Sequence, residues 1–130
     1  TSLGAGEGAM GRRVLIVEDE PHIVESLSFL LAREGFDVAS LSDGAAAFEA
    51  LAKSRPDVLV LDVMLPGMNG FDLLRRLRAT PDLVDLPVLM LTAKGQRRDR
   101  EIAESAGADR FMTKPFSNAE VVAAVVELSS

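Results

Sequence analysis

Four predicted strands of this chain each end in a side chain that could take part in chemistry. The acids Glu18 and Asp19 follow the first strand, Asp62 ends a second, Thr92 ends a third and Lys114 follows the last. In a parallel sheet, ligands bind where the carboxyl ends of the strands meet. We therefore expect three carboxylates, a hydroxyl and an ammonium group to converge on one edge of a sheet and form a site.

These groups suit phosphoryl transfer assisted by a divalent cation. Crowded carboxylates repel one another, and a hard cation such as Mg²⁺ relieves that repulsion with oxygen ligands. Asp62 ends the central apolar run, which favours it as the nucleophile that forms an aspartyl phosphate. Lys114 could neutralise phosphoryl oxygens together with the metal, and Thr92 could donate a hydrogen bond to them. The loop at residues 18–21 is acidic and has no glycine, which argues against a dinucleotide or P-loop site.

Each of these residues also has a purely structural interpretation. Asp62 could cap a turn, and Glu18 and Asp19 could cap the following helix. Thr92 could satisfy nearby backbone groups, and Lys114 could be a solvated surface residue. The full set in its context favours the functional interpretation over these alternatives.

The remaining charged side chains are expected to be surface residues. His22 is interpreted as a solvated residue at a helix start rather than as a ligand or phosphate carrier. Two arginine clusters are interpreted as solvated helix faces, the second of which could also meet a partner: Arg75, Arg76 and Arg78, and Arg97, Arg98 and Arg100.

The elements that must position the site are strands and helices in alternation. Three short apolar runs, at residues 14–17, 58–61 and 88–91, are typical of strands buried on both faces of a parallel sheet. The mixed segments 37–41 and 109–113 are expected to be edge strands. Five strands alternating with five helices predict an α/β doubly wound sheet, with the flavodoxin-like strand order 2-1-3-4-5 as the best fit.

Helical periodicity supports the elements between the strands. Pro21 suits the first position of the first helix, and Gly35 ends it. The fourth helix, at about residues 97–106, carries only one large apolar residue, Ile102, so we expect it to be the most labile element. The last helix has apolar residues on more than one face, part of which we expect to be exposed: Val121, Val122, Val125, Val126 and Leu128.

Composition limits the classes of function that remain. The 130 residues include no cysteine and one histidine, which excludes thiol chemistry and a multi-histidine zinc site. Lys and Arg total 14 and Asp and Glu total 20, so the formal charge of −6 does not favour nucleic-acid binding. No apolar run is long enough to span a bilayer, and we expect a soluble, cytoplasmic protein with no membrane partner.

The first eleven residues differ from the rest. Residues 1–11 are rich in glycine, and we interpret them as a disordered segment or a cloning remnant. We expect residues 12–128 to form a single domain.

Four segments resemble the receiver domain of bacterial response regulators. They read VLIVEDE (14–20), VLVLDVMLPGMNG (58–70), VLMLTAKG (88–95) and ADRFMTKPF (108–116), and they cover the chain from the first strand to the last helix. The resemblance implies a phosphoacceptor switch of a two-component system. It is expected to catalyse at most its own phosphotransfer and dephosphorylation and not to be a turnover enzyme.

The resemblance also assigns roles to single residues. Asp62 is implied to be the phosphoacceptor, with Thr92 and Lys114 contacting the phosphoryl group. Mg²⁺ is implied to be held by Asp62, directly by Asp19, through water by Glu18 and by the backbone carbonyl of Met64. Thr92 and Phe111 are implied to be the switch residues, and the Lys114–Pro115 peptide bond is implied to be cis.

The implied partners are a sensor histidine kinase or a histidine phosphotransfer protein as donor, and a downstream protein or output domain. The output surface is implied to lie on the fourth helix, fifth strand and fifth helix, in a monomer or a phosphorylation-dependent homodimer. Two alternatives remain open at this point. One is a small phosphatase or phosphotransferase with an aspartyl nucleophile, and the other is a degenerate receiver that binds partners without phosphate.

Overall fold

The fold is a five-stranded parallel sheet covered by helices on both faces. A computed structural model describes residues 11–93 and 97–130. The strands are β1 (Arg13–Val17), β2 (Asp37–Leu41), β3 (Val58–Asp62), β4 (Val88–Thr92) and β5 (Arg110–Thr113). Their order is β2-β1-β3-β4-β5, and every pairing is parallel. The predicted α/β class, the strand order and both edge strands are therefore confirmed.

Five helices alternate with the strands, as predicted. They are α1 (Pro21–Arg33), α2 (Gly44–Lys53), α3 (Gly70–Arg78), α4 (Arg97–Ala106) and α5 (Asn118–Leu128). Local chemistry explains where they begin: α1 has proline in its first turn, and side-chain oxygens of Asp43, Asn69 and Ser117 accept amide hydrogens at the starts of α2, α3 and α5. None of the described helices is long and apolar enough to cross a membrane.

The core consists of two apolar layers, one on each face of the sheet. Along β1, Val14 and Ile16 pack with α1 and α5, whereas Leu15 and Val17 pack with α2, α3 and α4. Side chains of a strand alternate between its two faces, so the continuous apolar runs supply both layers. This double burial holds the strand ends that carry the predicted site.

Helix α4 packs on the sheet side through small residues. Ala103 and Ala106 are buried, while Ile102, the large apolar residue of the helix, is only half-buried. Because two methyl groups bury little area, the prediction that α4 is the most labile element keeps its physical basis. On α5, Val121, Ala124 and Val125 are buried, whereas Val122, Val126 and Leu128 are half-buried.

Arg78 corrects one prediction. Arg75 and Arg76 are exposed as expected, but the Arg78 side chain is only 19% exposed and reaches past the end of α3. Its guanidinium donates to the carbonyl oxygens of Gly107 (2.7 and 3.0 Å) and Leu86 (2.7 Å), and it also contacts three further acceptors, Leu83 O, Val84 O and Asp109 Oδ2. The side chain therefore joins the loop after α3 to the turn after α4. The sequence pattern did not show this, because an arginine at the end of a helix has the same local pattern whether its side chain is solvated or contacts a neighbouring loop.

We expect Arg78→Met to lower the free energy of unfolding by about 2–4 kcal/mol, because it leaves several half-buried carbonyl oxygens without a donor. The exposed Arg75→Met is the matched control and should stay within about 0.5 kcal/mol of the parent. Urea denaturation of the three proteins checks this. Equal destabilisation by the two substitutions would contradict the assigned role of Arg78.

Candidate functional site

Three carboxylates meet where β1 and β3 end. Glu18 and Asp19 directly follow β1, and Asp62 is the last residue of β3. One oxygen of each side chain lies within 4.8 Å of the others. Glu18 and Asp62 are buried, with 1% and 2% exposure, whereas Asp19 is exposed to solvent. The structure therefore brings together the acids that the sequence singled out.

Lys114 places a positive charge among these acids. It follows β5, and its backbone N–H donates to the carbonyl oxygen of Thr92 at 2.7 Å. The Nζ atom lies 2.9 Å from Glu18 Oε1 and 3.4 Å from Asp62 Oδ1. The Lys114–Pro115 peptide bond is cis, as expected. The sequence predicted that Lys114 belongs to the site, but not that it pairs more closely with Glu18 than with Asp62.

Two carboxylate oxygens of the site are incompletely paired. Glu18 Oε1 and Asp62 Oδ1 are fully buried, and apart from the Lys114 ammonium neither has a hydrogen-bond donor within residues 11–93 and 97–130. Buried polar atoms are normally satisfied, so such a pair marks a place for a further ligand. Carboxylate oxygens with excess negative charge are suitable ligands for a hard divalent cation such as Mg²⁺.

The burial and the charges of the site shift the pKa values of Asp62 and Lys114. Burial, and then the negative charge of Glu18, raise the pKa of Asp62 to about 6, although Lys114 and a hydrogen bond from the backbone of Met64 oppose the change. Burial alone would lower the pKa of Lys114, but its bond to Glu18 and the charges of both acids outweigh burial and raise the pKa. Lys114 therefore stays charged at neutral pH while Asp62 is held in an unfavourable charged state.

Thr92 lies beside Asp62 at the end of the neighbouring strand. Asp62 is in register with Leu91, one residue before Thr92, and Thr92 is in register with Thr113, one residue before Lys114. Thr92 is buried, at 2% exposure. The parallel register thus brings the hydroxyl-bearing residue and the ammonium-bearing residue to the strand end that carries Asp62.

Phe111 lies on β5, deeper in the sheet than Lys114. It is half-buried and packs against the apolar layer that includes α3 and α4. The guanidinium carbon of Arg100, on α4, lies 5.5 Å from the centre of its ring. Sequence reasoning treated Arg100 as part of a solvated helix face that could also meet a partner, and it missed this contact, because nothing in the local pattern indicates which aromatic ring a surface arginine covers.

Met64 is placed by its backbone rather than by its side chain. The residue is 58% exposed, and its backbone contributes to the site by lowering the pKa of the Asp62 carboxyl group. His22 is exposed at the start of α1, as expected. The segment 1–10, part of the expected disordered segment, lies outside the described residues.

Removing the charge of Asp62 should stabilise the metal-free protein above pH 6. Folding raises the pKa of Asp62 from 3.8 to about 6, so the folded state holds the proton more tightly and the free energy of unfolding falls as the pH rises through this window. In EDTA at pH 7.5 we expect Asp62→Asn to be about 1–3 kcal/mol more stable than the parent, and the difference should shrink toward pH 4.

Urea denaturation across this pH range measures the effect, with the exposed Asp82→Asn as control. A difference between Asp62→Asn and the parent that does not change with pH would refute the explanation.

Comparison with known proteins identifies the family. Residues 14–126 match the model of the response regulator receiver domain. The chain is 45% identical over 116 residues to the DNA-binding response regulator MtrA of Mycolicibacterium smegmatis, covering 89% of this chain and 50% of that protein. It is 43% identical over 116 residues to the alkaline phosphatase synthesis transcriptional regulatory protein PhoP of Bacillus subtilis, covering 89% and 48%. The chain thus spans about half the length of the curated relatives it matches.

A solved structure shows the same fold. The signal receiver domain of a signal transduction histidine kinase from Syntrophus aciditrophicus superposes with a TM-score of 0.84 at 35% identity, covering 92% of this chain and 90% of that one. With its fold, its acidic strand ends and the match over residues 14–126, this chain belongs to the response regulator receiver domains, which are phosphoaccepting signalling domains of two-component systems and not turnover enzymes.

Proposed function

We propose that Asp62 accepts a phosphoryl group from a histidine kinase or a histidine phosphotransfer protein and that this acts as a conformational switch. The observation that carries the proposal is the buried Asp62 carboxylate, which has an incompletely paired oxygen and lies beside Glu18 and Lys114. In this state the carboxylate is a nucleophile, and the Lys114 ammonium together with a bound cation would offset the negative charge of an incoming phosphoryl group.

The transfer balances without any further reactant. A carboxylate oxygen of Asp62 attacks phosphorus, a P–O bond forms, and the P–N bond of the donor phosphohistidine breaks with its electron pair left on the imidazole nitrogen. The Lys114 ammonium, 3.4 Å from Asp62 Oδ1, is in reach of the incoming phosphoryl oxygens. Thr92 lies at the end of the adjacent strand, where its hydroxyl could donate to another of these oxygens.

The residues of the site suit Mg²⁺ as cofactor. We assign Asp19, Asp62 and the backbone carbonyl of Met64 as direct ligands and Glu18 as a ligand through water. When bound, the ion would supply positive charge to the transferring phosphoryl oxygens. The support is the cluster of three carboxylates with its incompletely paired buried oxygens.

The switch would pass from Thr92 to the surface formed by α4, β5 and α5. A phosphoryl group on Asp62 would draw Thr92 inward, and Phe111 would repack. Phe111 is half-buried, and its ring is covered by Arg100 of α4, a helix that is anchored in the core by alanines. These contacts are weak enough for α4 to change its position at low cost.

The partners are proposed on the same basis. The donor is a sensor kinase or a phosphotransfer protein, and the receiver contacts an output domain or a downstream protein rather than nucleic acid. MtrA is described as DNA-binding and PhoP as a transcriptional regulatory protein, which supports control of transcription as the output. The receiver would act as a monomer or as a phosphorylation-dependent homodimer, and a cytoplasmic location stays a prediction.

We expect the intact mass of the protein to increase by one phosphoryl group on incubation with acetyl phosphate and Mg²⁺. The adduct should be absent from Asp62→Asn and from the parent in EDTA, because the nucleophile or the cation is then missing. Asp82→Asn should be labelled like the parent. A folded parent that takes no label under any condition would instead indicate a receiver that binds partners without phosphate.

Replacement of Lys114 should slow this labelling. Lys114→Met removes the ammonium that faces the transferring oxygens, and loss of one such group typically lowers a rate by about 10²–10³-fold. Lys53→Met, at the exposed end of α2, is the charge-matched control and should leave the rate unchanged. Labelling of Lys114→Met at the parent rate would remove Lys114 from the mechanism.

A further inference from the structure

We propose that Gly44, the first residue of α2, is a positioning residue for phosphoryl transfer, because it holds the loop that carries Met64. The loop in question, residues 63–69, connects β3 to α3. The inference rests on the proposed function of Asp62 and extends the site to a helix that contributes none of the reacting groups.

Gly44 is in direct contact with the backbone of this loop. Its N–H donates to the carbonyl oxygen of Pro66 at 3.1 Å, and the residue is buried. A methyl group on its Cα would overlap the Met68 carbonyl oxygen and would lie 2.9 Å from the Met68 carbonyl carbon. Only a glycine therefore lets the loop approach α2 this closely.

The contact falls on a tight turn. The Met68 N–H donates to Pro66 O at 3.0 Å across Gly67, which has a φ of +82°, so residues 66–68 form a γ-turn. A Cβ on Gly67 would lie 2.8 Å from Oδ1 of Asp43, the same oxygen that accepts the amides of Ala45 and Ala46 at the start of α2. The turn therefore rests on the capped end of the helix.

The ends of the loop lie next to Asp62. The Val63 N–H donates to Leu91 O at 2.9 Å, and the Gly70 N–H donates to Val63 O at 2.8 Å. These bonds fix where the loop leaves the sheet and where it enters α3. Its far side is fixed by the contact of the γ-turn with Gly44.

Met64 lies between these two supports. Its backbone is near enough to the Asp62 carboxylate to lower the pKa of that group, and the residue is exposed, so the packing of its side chain does not hold the backbone in place. The backbone of Met64 therefore depends on its neighbours in the loop: Val63 and Leu65, which pack against the core, and the γ-turn, which Gly44 contacts. A group added at Gly44 would displace the turn and, through it, the backbone groups that Met64 presents to the site.

The test compares Gly44→Ala with Ala50→Gly. Ala50→Gly weakens α2 in its interior without adding an atom near the loop, and it therefore controls for loss of stability alone. Mg²⁺ titrations followed by NMR, the rate of labelling by acetyl phosphate and urea denaturation are measured for both variants and for the parent.

For Gly44→Ala we expect a shift of the Met64 amide resonance in the metal-free protein. We also expect the affinity for Mg²⁺ and the rate of labelling each to fall about 10- to 100-fold, which is the usual effect of losing a residue that orients a ligand. Ala50→Gly should keep the affinity and the rate of the parent. Parent-like Mg²⁺ binding in a folded Gly44→Ala, or equal losses in the two variants at equal stability, would overturn the proposal.

Hydrogen exchange of the parent provides a second test in case Gly44→Ala does not fold. Saturating Mg²⁺ should slow exchange of the Gly44 N–H, bonded to Pro66 O, more than that of the Ser54 N–H, bonded to Ala50 O at the other end of α2. Equal slowing of both amides would also overturn the proposal. If the parent itself neither binds Mg²⁺ nor accepts a phosphoryl group, the proposed function fails. The Met64 amide resonance of metal-free Gly44→Ala then still tests whether Gly44 positions the loop, because it should differ from that of the parent.

Discussion

The contact of Lys114 with Glu18 and Asp62 sets one positive charge against two buried negative charges. Taking carboxylates out of water is costly, and a single ammonium group does not compensate for both. The site therefore has a chemical need for more positive charge, which is why it suits a divalent cation. Burial, and then the negative charge of Glu18, keep the pKa of Asp62 raised to about 6.

A site of this kind requires a scaffold that keeps the charges from separating. The three acids end or follow β1 and β3, which are buried on both faces, so these strand ends cannot spread apart without opening the core. Lys114 follows the edge strand β5, which pairs with β4. The loops at the same edge have fewer constraints. Between β3 and α3, glycine contacts and hydrogen bonds hold the backbone together with the packing of Val63, Leu65 and Met68 against the core.

The edge of the sheet opposite the site, where the strands begin, is organised differently. Arg78 joins the loop after α3 to the turn after α4 through several carbonyl oxygens, and it therefore fixes the C-terminal end of α4. Along its length, α4 buries only Ala103 and Ala106. Such a helix is anchored at one end and weakly packed elsewhere, which suits an element that must change position when the chemistry at the strand ends changes.

Much of this arrangement could be predicted from the sequence. Apolar runs of strand length, separated by helical periods, determined the parallel sheet, and the residues after each run determined which groups share its edge, because strand direction and side-chain alternation are local properties. Contacts between distant segments needed the tertiary structure. These contacts are the closer pairing of Lys114 with Glu18, the burial of Arg78, the stacking of Arg100 on Phe111 and the approach of the loop to Gly44. They depend on distances between elements that are far apart in the chain, and such distances follow from packing, which no local pattern encodes.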